Sequence, residues 1–176
     1  ALSSPEPGYA ELDPERVFQS MLDAVKDCLK GAENIGARLQ GMSFSTQMHS
    51  FIAVDRQGHP LTPVITWADN RSLPEAESFC RQQDIQELYR LTGCRVQHPM
   101  YPLSKILWLR RHRPELFRQT EKFLTLKSWI LHRLFGVYVI DYTDASASAL
   151  LNIHTLAWDD LITGQVLGIS AGRLAD

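Results

Sequence analysis

The sequence has no long apolar run, little net charge and few cysteines, and each absence excludes a class of protein. No segment approaches the roughly 18 apolar residues of a membrane-spanning helix, and the first residues lack the basic and then apolar pattern of a secretory signal. Eighteen basic and twenty acidic residues give a net charge of -2, so no global field attracts nucleic acid or an anionic membrane. We expect a cytoplasmic protein with no nucleic-acid or membrane partner.

The three cysteines, Cys28, Cys80 and Cys94, are widely spaced and form no C-x-x-C pair. They indicate neither a disulfide framework nor a zinc site, and we interpret them as small core residues or free thiols. A Walker-type G-x-x-x-x-G-K-[ST] loop is also absent. The 176 residues, 44% of them hydrophobic, are enough for one globular domain with its own core.

Apolar periodicity and capping residues predict an alternation of helices and strands. Asp13 and Pro14 supply an N-cap and a first-turn proline for a helix that Gly31 closes. Helices interleaved with strands favour an α/β fold over a helical bundle. Strands are predicted at 35–44, 51–55, 63–67 and 137–142. Helices are predicted at 74–93, 104–113, from 114 onward and at 123–136.

Two segments that look functional have ordinary explanations. The basic run from Arg110 to Arg118 begins at the end of a predicted helix, where cations offset the helix dipole, so we interpret it as a solvated face. The segment DYTDASAS at 141–148 is rich in side-chain oxygens, as calcium loops are. It lacks the glycine of the sharp turn and the closing glutamate, so the sequence predicts no metal site.

The segment ITWADNRS places Trp67, Asp69 and Arg71 at alternate positions after a predicted strand. If the strand persists, the three side chains leave on one face. An aromatic ring beside a carboxylate and a guanidinium can grip a hydroxylated or anionic small molecule. The alternative is a buried Asp69–Arg71 ion pair with Trp67 in the core. The residue types leave both interpretations open.

The segment STQMHS at 45–50 sets Gln47, Met48 and His49 side by side where a predicted strand ends. Each residue type alone is usually a core or surface residue. In α/β proteins, however, ligand crevices form at the carboxyl ends of strands. Their position therefore favours a binding site.

Several segments follow one another in an order that resembles the first domain of the FGGY carbohydrate kinases. MHS, HPM and ITWADNRS are most similar to the gluconate kinases among them. The resemblance implies that residues 1–176 are an incomplete N-terminal domain with an actin-like, RNase H-like ATPase fold. The segments, which cover about Pro7 to Ala175, are PGYAELDPE, STQMHSFIAVD, PLTPVITWADNRS, TGCRVQHPMYPLSKILWL, VIDYTDASASALLN and TLAWDD.

The resemblance also implies a reaction, in which ATP and Mg²⁺ phosphorylate a hydroxyl of gluconate or a related sugar. Trp67 and Met100 match side chains that line the sugar pocket, and Arg71 is either a strut or an attraction for a carboxylate. Asp144 matches a loop of the family pattern whose role stays open. The expected substrate-binding residues are Gln47, Met48, His49, Trp67, Asp69, Arg71, Met100 and Asp144.

Three parts of the family pattern are expected outside this chain: the phosphate-cradling hairpin, the catalytic aspartate and the nucleotide-binding second domain. We therefore expect no catalytic residue here, and neither Asp69 nor Asp144 is favoured as a substitute base. The chain alone should be inactive, and the strand edge left unpaired should promote association into oligomers. The alternatives are a non-catalytic sugar-acid binding or regulatory module, a xylulose or other sugar kinase of the family, and a structural domain.

Overall fold

Short antiparallel strands form the centre of the fold in the computed structural model, which describes residues 2–30 and 39–176. The first strand pairs with the third and the second with the fourth, and a bridge between Phe51 and Ile65 joins the two pairs. The order across the array is β1-β3-β2-β4, and β5 and β6 form a separate hairpin. The strands in the described ranges are β1 (Glu11–Leu12), β2 (Ile52–Val54), β3 (Val64–Ile65), β4 (Lys122–Leu124), β5 (Leu151–Asn152) and β6 (Ala157–Trp158).

The helices begin and end where capping residues direct them. Asp13, Asp84 and Thr125 accept backbone hydrogen bonds as N-caps of α1, α3 and α6. Left-handed Gly93 and Gly136 end α3 and α6. The helices are α1 (Pro14–Leu29), α2 (Leu73–Cys80), α3 (Ile85–Thr92), α4 (Pro102–His112), α5 (Pro114–Gln119), α6 (Leu126–Phe135) and α7 (Tyr142–Ser146), followed by a π-helical segment, Leu161–Leu167, and a 3-10 turn, Ala171–Arg173.

Helices cover both faces of the strand array. Phe51 and Ala53 point into one core with residues of α2, α3 and α4, whereas Ile52 and Val54 point into a second core with α1 and α6. Because successive side chains leave a strand on opposite faces, a strand buried on both sides must be apolar throughout. This arrangement explains the unbroken run FIAV and confirms the predicted α/β class.

Four secondary-structure predictions need correction. The predicted helix at 123–136 begins only at Leu126, because its first residues belong to the strand β4. The predicted strand at 35–44 lies partly outside the described residues, and 39–44 contains no strand. The predicted strand at 137–142 is wrong, because Tyr142 already begins α7 and the preceding residues make too few ladder hydrogen bonds. The predicted helix at 74–93 is divided between α2 and α3, because Asp84 caps a new helix.

Further predictions concern the membrane and the cysteines. None of the helices in residues 2–30 and 39–176 is long and apolar enough to cross a membrane. Cys28, Cys80 and Cys94 are free thiols, as one of the two interpretations expected, and burial raises the pKa of the Cys80 and Cys94 thiols. Cys28 is exposed and Cys94 is buried, so only Cys94 is a core residue.

Candidate functional site

The candidate site is organised around the turn at 45–50, directly before β2. Ser50 is fully buried and anchors the turn, since its hydroxyl accepts a hydrogen bond from the Leu126 amide at 3.1 Å and lies 3.3 Å from the Gln47 carbonyl oxygen. His49 has a left-handed backbone, with φ of 61°. This conformation is uncommon for a residue with a side chain, so the contacts around His49 must hold it.

The His49 imidazole is oriented by two neighbours. Its Nδ1 atom lies 2.7 Å from the Ala147 carbonyl oxygen, and its ring packs edge-on against Tyr101 with ring centroids 5.1 Å apart. A carbonyl oxygen can only accept, so Nδ1 carries the proton and Nε2 of the neutral ring is a hydrogen-bond acceptor. Burial lowers the pKa of His49 below its ordinary value, which favours this neutral form near pH 7.

Lys105, on helix α4, is a residue of this site that the sequence interpretation missed. Its side chain is fully buried, and Nζ donates hydrogen bonds of 2.6 Å to the carbonyl oxygens of both His49 and Met100. Burial lowers the pKa of Lys105 to about 7, while the charge of Asp69 opposes that shift. The available signal was a lysine within the helical run from Leu103 to Leu109, in which Ser104 is the only other polar residue, because such a position is rarely charged.

Asp144 lies at the same site. The residue is 2% exposed, its Oδ2 atom accepts a 2.6 Å hydrogen bond from the Thr125 hydroxyl, and Oδ1 has no partner among the described residues. Burial raises the pKa of Asp144, and its charge influences that of His49. Since Thr125 also caps α6, the short helix α7, which carries Asp144, is fixed to the helix that anchors Ser50.

Trp67 emerges at the same end of the strand array. Phe51 and Ile65 form an antiparallel bridge. The residues just before Phe51 and those just after Ile65 therefore lie at the same end of the strand array. Trp67 is 53% exposed and is therefore not a core residue. The strand ends at Ile65, so the premise that Trp67, Asp69 and Arg71 continue it on one face is wrong.

Asp69 and Arg71 form a buried ion pair, as one of the two interpretations expected. The Arg71 guanidinium donates to the Asp69 carboxylate at 2.7 and 2.9 Å, and also to Glu11. Asp69 further accepts the Ala10 amide at 2.6 Å, and the guanidinium packs 3.6 Å from the Tyr9 ring centroid. Although burial alone lowers it, these carboxylates raise the pKa of Arg71. Both charges are thus satisfied within the fold, which favours the strut interpretation.

The predicted residues therefore fall into two groups. His49, Met100 and Asp144 are brought together through Lys105, Ala147 and the α6 N-terminus, and Trp67 leaves the array at the same end. Gln47 and Met48 share the turn with His49, the first half-buried and the second 42% exposed. Asp69 is fully buried and Arg71 is half-buried, and the site precedes β2 with no strand at 39–44 before it.

Among the described residues, no three His, Cys, Asp or Glu side chains are grouped so that they could hold a metal ion. The site instead combines hydrogen-bonding groups, among them the His49 imidazole and the Asp144 carboxyl, with apolar side chains. Such a surface suits an uncharged or singly charged polyhydroxylated molecule, whose hydroxyls can donate to acceptors such as His49 Nε2.

Comparison with known proteins identifies the fold and the family. The structure of a gluconate kinase from Lactobacillus acidophilus matches the whole chain with a TM-score of 0.84 and 34% sequence identity, and the match covers 35% of that protein. The fold is therefore that of the N-terminal domain of an actin-like sugar kinase.

The chain belongs to the FGGY family of carbohydrate kinases, whose N-terminal domain model matches residues 1–176. A gluconokinase of Bacillus subtilis is 40% identical over 174 residues, which are 99% of this chain and 33% of the relative. A xylulose kinase of the same bacterium is 34% identical over 165 residues, 93% of this chain and 32% of the relative. The chain thus spans about a third of the length of these relatives.

Proposed function

We propose that this chain is the sugar-binding part of an ATP-dependent carbohydrate kinase that phosphorylates gluconate to 6-phosphogluconate. The observation that carries the proposal is the orientation of His49, whose Nδ1 is engaged by Ala147 and whose Nε2 is left as an acceptor for a substrate hydroxyl. Membership of the FGGY family and the similarity to a gluconokinase support the same assignment.

Each residue of the site has a separate task in this proposal. His49 Nε2 accepts a sugar hydroxyl, and Gln47 offers a further amide on the same turn. Met48, Met100 and Trp67 form the apolar wall against the carbon chain. A substrate whose hydroxyl pairs with the buried acceptor is favoured over a substrate without that hydroxyl. In the second case the acceptor stays unpaired, which costs about 1 to 3 kcal/mol of binding free energy.

Asp144 contributes an oxygen that has no partner among the described residues. We assign Oδ1 to a second substrate hydroxyl, because a buried carboxylate oxygen without a donor gains from one. Asp69 and Arg71 take no direct part in binding in this proposal. They hold the segment after Trp67 against Glu11 and the Ala10 amide.

A basic cavity next to the site can receive the carboxylate of gluconate. This surface cavity of about 960 Å³ is lined by Arg95, Gln97 and His98, and no lining side chain among the described residues is acidic. Arg95 forms no ion pair within the described ranges, and His98 lies close enough to His49 to lower the pKa of His49. His98 Nδ1 accepts the Met100 amide at 3.1 Å, so Nε2 carries the proton and can donate to a carboxylate.

In this proposal ATP is the phosphoryl donor and Mg²⁺ its metal, and none of the residues of the sugar site is assigned to hold them. When bound, the metal and nucleotide supply the phosphoryl group and the charge stabilisation of its transfer. The described residues bind and orient the acceptor sugar.

The test is a kinase assay on the full-length protein that contains this chain, with gluconate, xylulose and glycerol as acceptors and MgATP as donor. Formation of 6-phosphogluconate with the highest kcat/KM among the three supports the proposal. A preference for xylulose would assign another sugar kinase of the family. Gluconate binding by calorimetry without phosphorylation would instead indicate a non-catalytic sugar-acid module.

A further inference from the structure

We infer that Lys105 is a positioning residue of the sugar site: its buried side chain fixes where His49 and Met100 meet the substrate. The inference rests on the proposed function, since His49 and Met100 are its substrate-contacting residues. Lys105 itself is assigned no contact with the sugar. Its role is to hold two loops that are distant in sequence at one separation.

The geometry gives Lys105 this role. One Nζ atom donates to the carbonyl oxygens of His49 and Met100, each at 2.6 Å, so a single group fixes both backbones. The His49 backbone is left-handed, and a carbonyl in that position needs a partner to keep its orientation. The Ala147 carbonyl holds the imidazole and Lys105 holds the backbone, so the direction of Nε2 is determined from two sides.

A purely structural purpose accounts poorly for a lysine at this position. Lys105 is 0% exposed, so its ammonium carries the full free-energy cost of removing a charge from water. Its acceptors are two neutral carbonyl oxygens, not a carboxylate. An apolar side chain of similar volume usually stabilises such a position at least as well. A lysine has the advantage of directed donors that reach two loops at once.

The charged groups around Lys105 also connect it to His49. Asp69 and Arg71 face it from the segment after β3, and these two largely cancel because they are paired with each other. Lys105 and His98 lower the pKa of His49, whereas the charge of Asp144 raises it. Lys105 therefore both aims the imidazole and favours its neutral, accepting form.

The experiment compares Lys105→Met with the wild type in the full-length protein, with Lys26→Met, an exposed substitution on α1, as the matched control. We expect the KM for gluconate to rise about tenfold or more in Lys105→Met, while the KM for MgATP and both constants of Lys26→Met stay unchanged. A fall in kcat with an unchanged KM for gluconate would show a loss of folded enzyme and would overturn the inference.

A second measurement tests the link between Lys105 and His49 without any enzyme activity. The imidazole is titrated by NMR after histidine labelling, and its signal is assigned by its loss in His49→Gln. The pKa of His49 should rise in Lys105→Met and fall in Asp144→Asn, because these variants remove charges of opposite sign. Unchanged values in both would overturn the electrostatic part of the inference.

If Lys105→Met does not fold, Lys105→Gln replaces it in both experiments. Its amide keeps donors but no charge, so the pKa of His49 should rise as in the methionine variant, and the KM for gluconate should still exceed that of the wild type. A wild-type KM and pKa in Lys105→Gln would overturn the inference. If the wild-type protein phosphorylates no gluconate, the proposed function fails, but the titration still decides whether Lys105 controls His49.

Discussion

The Nδ1 atom of His49 lies 2.7 Å from the carbonyl oxygen of Ala147, and these residues are 98 positions apart in the chain. This contact determines which ring nitrogen carries the proton and turns the other, Nε2, into an acceptor. The tautomer of a candidate substrate contact is thus set by a loop between α7 and β5. It follows that the site depends on tertiary contacts as much as on the turn that carries it.

The first prediction concerns His49→Ala in the full-length enzyme. The substitution removes the Nε2 acceptor, and the loss of a buried hydrogen bond to substrate should cost about 1 to 3 kcal/mol, which is a rise of about 5- to 150-fold in the KM for gluconate. Steady-state kinetics measure the change. His59→Ala, on an exposed turn, is the control and should leave the KM unchanged. An unaltered KM in His49→Ala would remove His49 from the binding site.

Asp69→Ala should act on stability. The substitution leaves the Arg71 guanidinium buried with only Glu11 as its charged partner, and breaking a buried pair in this way lowers the free energy of unfolding by about 3 to 5 kcal/mol. Urea unfolding measures the loss. Asp23→Ala on the exposed face of α1 should change it by less than about 1 kcal/mol. A stable Asp69→Ala variant that no longer binds gluconate would instead make Asp69 a substrate contact.

The buried Lys105 should make stability depend on pH. Its pKa is about 7 in the folded protein against 10.5 for an ordinary lysine, so between these values the unfolded chain binds a proton that the folded protein has released. The free energy of unfolding of the wild type, relative to Lys105→Met, should therefore rise with pH through this window and be constant below it. Urea unfolding of both proteins at about pH 6, 8 and 10 tests this, and parallel pH profiles would contradict it.

Arg95→Gln should weaken binding of the acid and spare neutral sugars. Because Arg95 is exposed, its attraction for a carboxylate is screened, and we expect a rise of about three- to tenfold in the KM for gluconate at low salt and less at high salt. The KM for xylulose, where it is a substrate, should not change. Arg56→Gln, on the exposed turn at the opposite end of β2, is the matched control. Equal effects on acid and neutral sugar would argue against a carboxylate at Arg95.

Gly58→Ala and Gly136→Ala separate backbone strain from a steric clash. Both glycines have positive φ, 80° and 73°. Each substitution by alanine should therefore lower the free energy of unfolding by about 1 to 2 kcal/mol. A Cβ at Gly58 would also overlap the His132 ring, whereas Gly136 has open space around it. The His132 ring is stacked on Tyr138 and cannot yield freely, so Gly58→Ala should lose about 1 to 3 kcal/mol more. Thermal or urea unfolding of both variants checks the difference.

Local chemistry in the sequence determined much of the fold. Asp13 with Pro14 and Gly136 are capping signals that act within a few residues, so the start of α1 and the end of α6 could be read directly, whereas the start predicted for α6 at 123 falls within β4. The apolar run FIAV indicated a strand, and the order of segments indicated the family. The predicted strand at 137–142 failed because, although Tyr138 and Ile140 pack against the second core, their backbone pairs through only two hydrogen bonds, both with Asp176.

Tertiary structure alone decided the chemistry of the site. The sequence showed Asp69 and Arg71 two positions apart, but it could not show that Glu11 and the Ala10 amide would complete their hydrogen bonds and bury them. Nor could it show that Lys105 would reach the carbonyl oxygens of His49 and Met100. Hydrogen bonds and ion pairs between distant residues depend on distance and direction in space, and neither is encoded in local spacing. The residue types therefore left a small-molecule site and core packing both open, and the packing of α4, α6 and α7 around one turn determines which atoms the candidate site contains.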